Sequence, residues 1–353
     1  MRQRIGITST VPVEVILAAG DVPVDLNNVF ISDPEPSRFI RYAEDAGYPR
    51  NICGWIKGIF GLVIRTRCVD AVIALTQGDC SCTLALIETL IVHGTPVIPF
   101  EYPFSRDADL LRLQVDKLAS RLGTRTEEAR EWVERLKPVR EKLVEVDRLT
   151  WEEGLISGEE NHCILLSSSD FGGDVVRFEQ EAGALLERAR LRQPSPTDVR
   201  IAYIGVPPIW NDLHSFIESQ GARVVYNEVQ RQFSMPFKTA DIVRQYLLYT
   251  YPYGVFARLE DILQALAQRR VNGIIHYTQS FCYRQIEDLI FRKKLPLPIL
   301  SLEGDQPGSL DGRTKLRITA FIEMLRKNAE ESTGYAGAGR MPANAPGKDL
   351  SSW

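Results

Sequence analysis

The chain has 353 residues, of which 44% are apolar and 25% charged, and a formal net charge of −4. That length exceeds one average domain and suits two, or two with a helical insert, in an ordinary globular protein. The small negative charge, with both signs interspersed, leaves no electrostatic footprint for nucleic acid and no polybasic block for a membrane.

No stretch reaches the roughly 18 apolar residues of a membrane span. The most apolar region, residues 84–100, is broken by Glu88, Thr89 and His93. The residues after Met1-Arg2-Gln3-Arg4 are too short and too polar a run for a signal segment. The expected location is cytoplasmic. There, six cysteines read as core residues, metal ligands or reactive thiols rather than a disulfide framework.

Residues 1–104 read as an α/β domain. A short strand at 5–9 precedes a helix over 11–20, with Pro12 near its start and Gly20 at its end. Residues 22–29 read as the next strand. Ala71-Val72-Ile73-Ala74-Leu75 is a buried-strand run that stops at Gly78-Asp79. A helix from about Thr83 to His93 and a strand over 96–100 follow. Residues 105–197 form a charged helical insert and connector. Ser105 is expected to cap its first helix, Thr124-Arg125-Thr126-Glu127 to form a capping box, and Pro138 to divide the second helix. Cys163 is expected to begin an apolar strand and to lie in the core, and an amphipathic helix spans 174–192.

Residues 198–330 repeat the first pattern: strands at 199–206, 224–227, 271–276 and 297–302, helices between them, and a closing helix over 316–327. Residues 331–353, rich in Gly, Ala and Pro, read as a disordered tail. The fold class is therefore α/β: two Rossmann-like, flavodoxin-like parallel-sheet domains with a helical insert between them.

The cysteines carry the chemistry. Cys53 lies in Asn51-Ile52-Cys53-Gly54-Trp55. Cys80 follows a strand in Thr76-Gln77-Gly78-Asp79-Cys80-Ser81-Cys82-Thr83, and Cys282 follows another in His276-Tyr277-Thr278-Gln279-Ser280-Phe281-Cys282. Strand ends of this kind build the sites of α/β proteins. Zinc sites use close cysteine pairs, and Cys80-Ser81-Cys82 has the wrong spacing for one. Widely spaced single cysteines leave two readings: an iron–sulfur cluster assembled by the fold, or unrelated cysteines that are mostly buried.

Several segments together resemble one family. They are Val11-Pro12-Val13-Glu14-Val15-Ile16-Leu17-Ala18-Ala19-Gly20, then Cys53, then Cys80 with Glu88 and Gly94-Thr95-Pro96. Further on are Gly273-Ile274-Ile275-His276 leading to Cys282, Leu302-Glu303-Gly304-Asp305, and Arg317 with Ala320-Phe321-Ile322-Glu323. Over about residues 4–330 the chain resembles the D-component family of 2-hydroxyglutaryl-CoA dehydratase, which also holds benzoyl-CoA reductase subunits and double-cubane-cluster proteins. The resemblance implies a 4Fe-4S cluster on Cys53, Cys80 and Cys282, with one iron open. It implies an ATP-dependent activator protein that supplies a low-potential electron, a homologous subunit in a homo- or heterodimer, and an acyl-CoA substrate. The implied reaction is a lyase step, the radical elimination of water from a 2-hydroxyacyl-CoA. The alternatives are an ATP-dependent reductase with a double-cubane cluster, or a non-catalytic electron-relay subunit. This chain departs from the family at Asp79-Cys80-Ser81-Cys82, where Cys82 adds a thiol that can replace Cys80 as ligand or join it on a larger cluster.

Other candidates read as structural. Cys68, among Ile64, Val69 and Val72, reads as core. His276 is expected to hydrogen-bond, and Glu14 and Glu88 to cap or pair. Tyr246, Tyr249, Tyr251 and Tyr253 read as packing, with CoA contact as the alternative. Ser167-Ser168-Ser169 has no triad context, and no dinucleotide or Walker sequence appears.

Overall fold

The structure, a computed structural model, describes residues 2–336 except 196 and 198. Two four-stranded sheets organise it. The first contains β1 (Arg4–Ile7), β2 (Val22–Asp25), β3 (Ala71–Gln77) and β4 (Val97–Glu101), in the order β2-β1-β3-β4. The second contains β5 (Val199–Gly205), β6 (Ala222–Asn227), β7 (Gly273–Gln279) and β8 (Ile299–Gly304), in the order β6-β5-β7-β8. Every pairing is parallel. The halves are thus two copies of one topology, in agreement with the Rossmann-like reading of the sequence.

Parallel strands need helical crossovers, and helices on both faces bury the strands on both faces. The first five residues of β3 and all of β7 are accordingly buried, including His276, Thr278 and Gln279. In each sheet the chain winds outward in both directions from the central pair, β1 with β3 and β5 with β7. The carboxyl ends of such a pair open a crevice.

Several expectations need correction. The strand expected over 22–29 ends at Asp25, whose carboxylate accepts from Asn27 N and caps a helix over Leu26–Ile31. A short apolar run is as easily buried on a helix as on a strand. Asp107, not Ser105, caps the helix Ala108–Arg121. The box at Thr124 does not form: Arg125 is the cap of the next helix, and the Thr124 hydroxyl donates to the Glu128 side chain at 2.6 Å. Cys163 is exposed on the helix Gly158–Leu166, which a Ser157/Glu160 capping box starts. Pro138 does separate two helices, Thr126–Arg135 and Lys137–Arg148. The closing helix, Gly312–Ala336, runs into the segment expected to be a disordered tail. The remainder of that tail lies outside the described residues.

Packing crosses the expected domain limits. Tyr246, Tyr249 and Tyr253, from the second half of the chain, share a core with Ile5, Ile7 and Phe100 of the first sheet. Glu14 is fully buried, ion-paired to Arg140 of the insert at 2.6 Å and hydrogen-bonded by Gln245 and Tyr246. Among the described residues no helix is long and apolar enough to cross a membrane.

Candidate functional site

The crevices of the two sheets meet in one cavity of about 120 Å³. Its walls come from the ends of five strands: Thr8 and Thr10 after β1, Asp25 and Asn28 at β2, Asp79 and Cys80 after β3, Pro207 after β5, and Gln279 and Cys282 at β7. Cys53 comes from a sixth place, the start of the helix Gly54–Thr66. Cys53, Cys80 and Cys282 therefore line a single cavity although more than two hundred residues separate the outer two.

Each cysteine precedes a helical segment: Gly54–Thr66, Ser81–Val92, and the short turn Tyr283–Gln285. Amides at such ends point at the thiol and favour its anion. The amides of Trp55 and Ile56 face Cys53, the Thr83 hydroxyl lies 3.6 Å from the Cys80 sulfur, and the Arg284 amide faces Cys282. Burial works the other way and wins for the free thiols. It pushes Cys53 up to about 12, with Cys80 and Cys282 adding to the shift. Burial, then the Asp79 carboxylate, pushes Cys80 up to about 12, and burial raises Cys282. Without a cation to hold them these thiols stay neutral at pH 7.

Close approach of the two halves is built in at Cys53. A Cβ at Gly54 would stand 2.4 Å from the Asp305 carbonyl oxygen, at the end of β8. Only glycine lets the start of this helix touch the second sheet. At β3, the turn to Cys80 passes through Gly78 at φ +97, again a glycine conformation.

The turn that carries Cys282 is held by a buried charge chain. Arg284 bonds Glu287 at 3.2 Å and stacks on Tyr251 at 4.2 Å. Glu287 also pairs with Arg258, which pairs with Glu228 at 2.6 Å, and Glu228 accepts from Gly205 N at the end of β5. None of these four charged residues was singled out from the sequence. The one signal for them was Arg284, two positions after Cys282.

The remaining candidates lie elsewhere. Cys82 does not line the cavity; it packs against the core and neighbours Tyr48. Cys68 is partly buried against the same core. His276 is buried, 2.9 Å from the Asp288 carboxylate, and Glu88 is exposed. Of the tyrosines, Tyr251 reaches the cavity wall while Tyr246, Tyr249 and Tyr253 are core.

Among the described residues no group of three His, Cys, Asp or Glu side chains is arranged to hold a single metal ion. A cluster of several irons spreads its ligands wider than one ion does. Three partly buried thiols, each just before a helical segment, make a donor set of the kind such clusters take. The cavity also contains buried polar atoms with no partner: the Thr8 hydroxyl, the Asn28 and Gln279 amide oxygens, and the Trp55 indole N–H. Buried polar groups are rarely left so, and a bound molecule, water included, would satisfy them.

Compared with known families, the sequence matches 2-hydroxyglutaryl-CoA dehydratase, D-component, over residues 8–325. The chain belongs to this family. It is a dehydratase D-component-like subunit, related to an enzyme. The match covers every strand except β1 and includes all three cavity cysteines. Comparison with curated proteins gives no match.

Proposed function

We propose that the chain is the iron–sulfur subunit of a 2-hydroxyacyl-CoA dehydratase-like lyase, with Cys53, Cys80 and Cys282 holding a 4Fe-4S cluster. The observation that carries the reading is the convergence of these three thiols, from three separate places in the chain, on one cavity. When bound, such a cluster supplies a low-potential electron and an open iron that acts as a Lewis acid.

The protein's own residues prepare the site. Helical amides and the Arg284 guanidinium offset the charge of thiolates that burial alone would keep protonated, so loading releases protons. Ile56, Ile59, Leu166 and Phe233 keep the cavity apolar on one side and exclude water from reactive species. Thr8, Asn28, Trp55 and Gln279 are free to hydrogen-bond and orient a substrate. The charge chain through Glu287, Arg258 and Glu228 holds the Cys282 turn in place.

The family also suggests a partner subunit. In this reading that partner is a homologous chain, and an ATP-dependent activator delivers the electron. Cys82, Cys68 and Cys163 lie off the cavity lining, which supports one cubane over a double one.

Anaerobic purification with iron and sulfide assay tests the proposal. About four irons per chain are expected. Cys53→Ala, Cys80→Ala and Cys282→Ala should each lose the visible absorbance, and Cys82→Ala should keep it. Full colour in any of the first three refutes the assignment. Interconversion of a 2-hydroxyacyl-CoA and its enoyl-CoA, with activator and reductant present, separates a lyase from a relay subunit.

A further inference from the structure

Charge is distributed unevenly around the cavity. Its lining contains two carboxyls, Asp25 and Asp79, and one cation, Arg284. Arg284 is already engaged: one nitrogen bonds Glu287 at 3.2 Å, another donates to the Tyr251 carbonyl at 3.1 Å, and its plane stacks on the Tyr251 ring. It is 4% exposed, so turning to a new anion would break its bonds to Glu287 and to the Tyr251 carbonyl inside the protein. Burial already raises the Asp25 carboxyl above its ordinary range, so this wall disfavours negative charge. What the cavity offers freely is neutral. Thr8 and Gln279 are 6% and 1% exposed, and each has an unpartnered oxygen; the Asn28 oxygen and the Trp55 N–H are also unpartnered.

The geometry points to a substrate preference: the cavity takes an acyl group whose far end is uncharged and hydrogen-bonding, and rejects one that ends in a carboxylate. The inference rests on the acyl-CoA reading above. The acyl group in the family's description, 2-hydroxyglutaryl, keeps one free carboxylate at the end away from the thioester. Among the described residues lining this cavity no free cation is available to receive it. In the loaded site three thiolates outnumber the two positive charges of an oxidised 4Fe-4S core, so the cluster end of the cavity keeps a small net negative charge. Thr8 and Trp55 can donate while Asn28 and Gln279 accept, a pattern that a terminal amide or hydroxyl satisfies in both directions. A like charge several ångströms away, at an effective dielectric near 20, weakens binding about thirtyfold, equivalent to about 2 kcal/mol.

Two probes decide it: 2-hydroxyglutaryl-CoA, and the same thioester with its free carboxylate replaced by the carboxamide. They match in shape and differ in charge. Binding to the iron-loaded full chain is measured by anaerobic calorimetry. The amide should bind about thirtyfold tighter. Asn28→Lys, which places a cation on the wall, should reduce that ratio at least tenfold. Equal or tighter binding of the carboxylate overturns the preference and leaves the acyl-CoA reading standing. An unchanged ratio in folded Asn28→Lys also overturns it. If that variant does not fold, the wild-type ratio decides alone. Failure of both thioesters to bind the loaded protein overturns the acyl-CoA reading, and the preference with it.

Discussion

Gly54 couples the halves of the molecule, so Gly54→Ala should loosen them. A methyl there would lie 2.4 Å from the Asp305 carbonyl oxygen and 3.0 Å from Ile209 Cδ1. The oxygen belongs to backbone and cannot rotate aside, so the strand end bearing Asp305 must retreat. Forcing a methylene-sized group into packed surroundings costs about 1–3 kcal/mol. The opposing gain in helix propensity is at most ~1 kcal/mol, and less at the first helical position. The net expectation is a loss of about 1–2 kcal/mol, seen as a lower urea midpoint of the full chain. Because Cys53 immediately precedes Gly54 and Cys282 lies across the cavity, the variant should also retain less iron. Gly61→Ala is the control. Its Cβ would stand 2.1 Å from the Phe39 carbonyl oxygen, on the same helix but within the first half. It should lower stability comparably while leaving iron retention nearer wild type. A Gly54→Ala protein as stable as wild type, with full iron, would refute the coupling.

Three further outcomes follow from buried titratable groups. For Glu14, burial favours protonation, but the Arg140 guanidinium and its hydrogen bond outweigh it and hold the carboxyl below its ordinary range. Its stabilisation is therefore present above about pH 4.5 and lost as pH falls further. Glu14→Gln, which leaves a buried guanidinium unpaired, should cost about 3–5 kcal/mol at pH 7 and flatten that acid limb in urea titrations. Asp170 behaves oppositely: burial and the neighbouring Asp25 raise it to about 7, so the folded state holds a proton the unfolded chain releases. Stability should decline as pH rises from about 4 to 7, and Asp170→Asn should remove most of that slope; an equal slope in the variant would contradict the pair. His162 and His214 stack at 4.3 Å, and burial lowers both, His214 to about 4. Stability should fall as pH drops from about 6.5 toward 4, and His214→Phe should weaken this dependence while costing about 1–3 kcal/mol at pH 7 for the stranded Asn227 oxygen.

Much of the fold was legible because parallel strands buried on both faces read as unbroken apolar runs. Ala71–Gln77 shows this most plainly. Sequence and structure differ where a short apolar run has no length to separate strand from helix, as at residues 26–31, and at Cys163, which the Ser157/Glu160 capping box places on a helix. Asp107 displaced Ser105 as a cap because its carboxylate accepts from two amides, those of Asp109 and Leu110. The site was legible in its thiols and silent in its supports. Glu228, Arg258 and Glu287 are ordinary charged residues in sequence, and only burial makes them a chain.

By itself the sequence determined that the chain is two repeats of an α/β pattern, and that Cys80 and Cys282 fall where strands end. Those are local facts, written in periodicity and turn residues. Only the tertiary structure decided that the two crevices face each other and that Cys53 joins them, because that depends on a glycine-sized contact between halves distant in sequence. It also decided between Cys80 and Cys82 for a place on the cavity wall. Cys80 is the extended residue before the helix Ser81–Val92 and lines the cavity, whereas Cys82 lies inside the helix and off that lining, although both touch the same core.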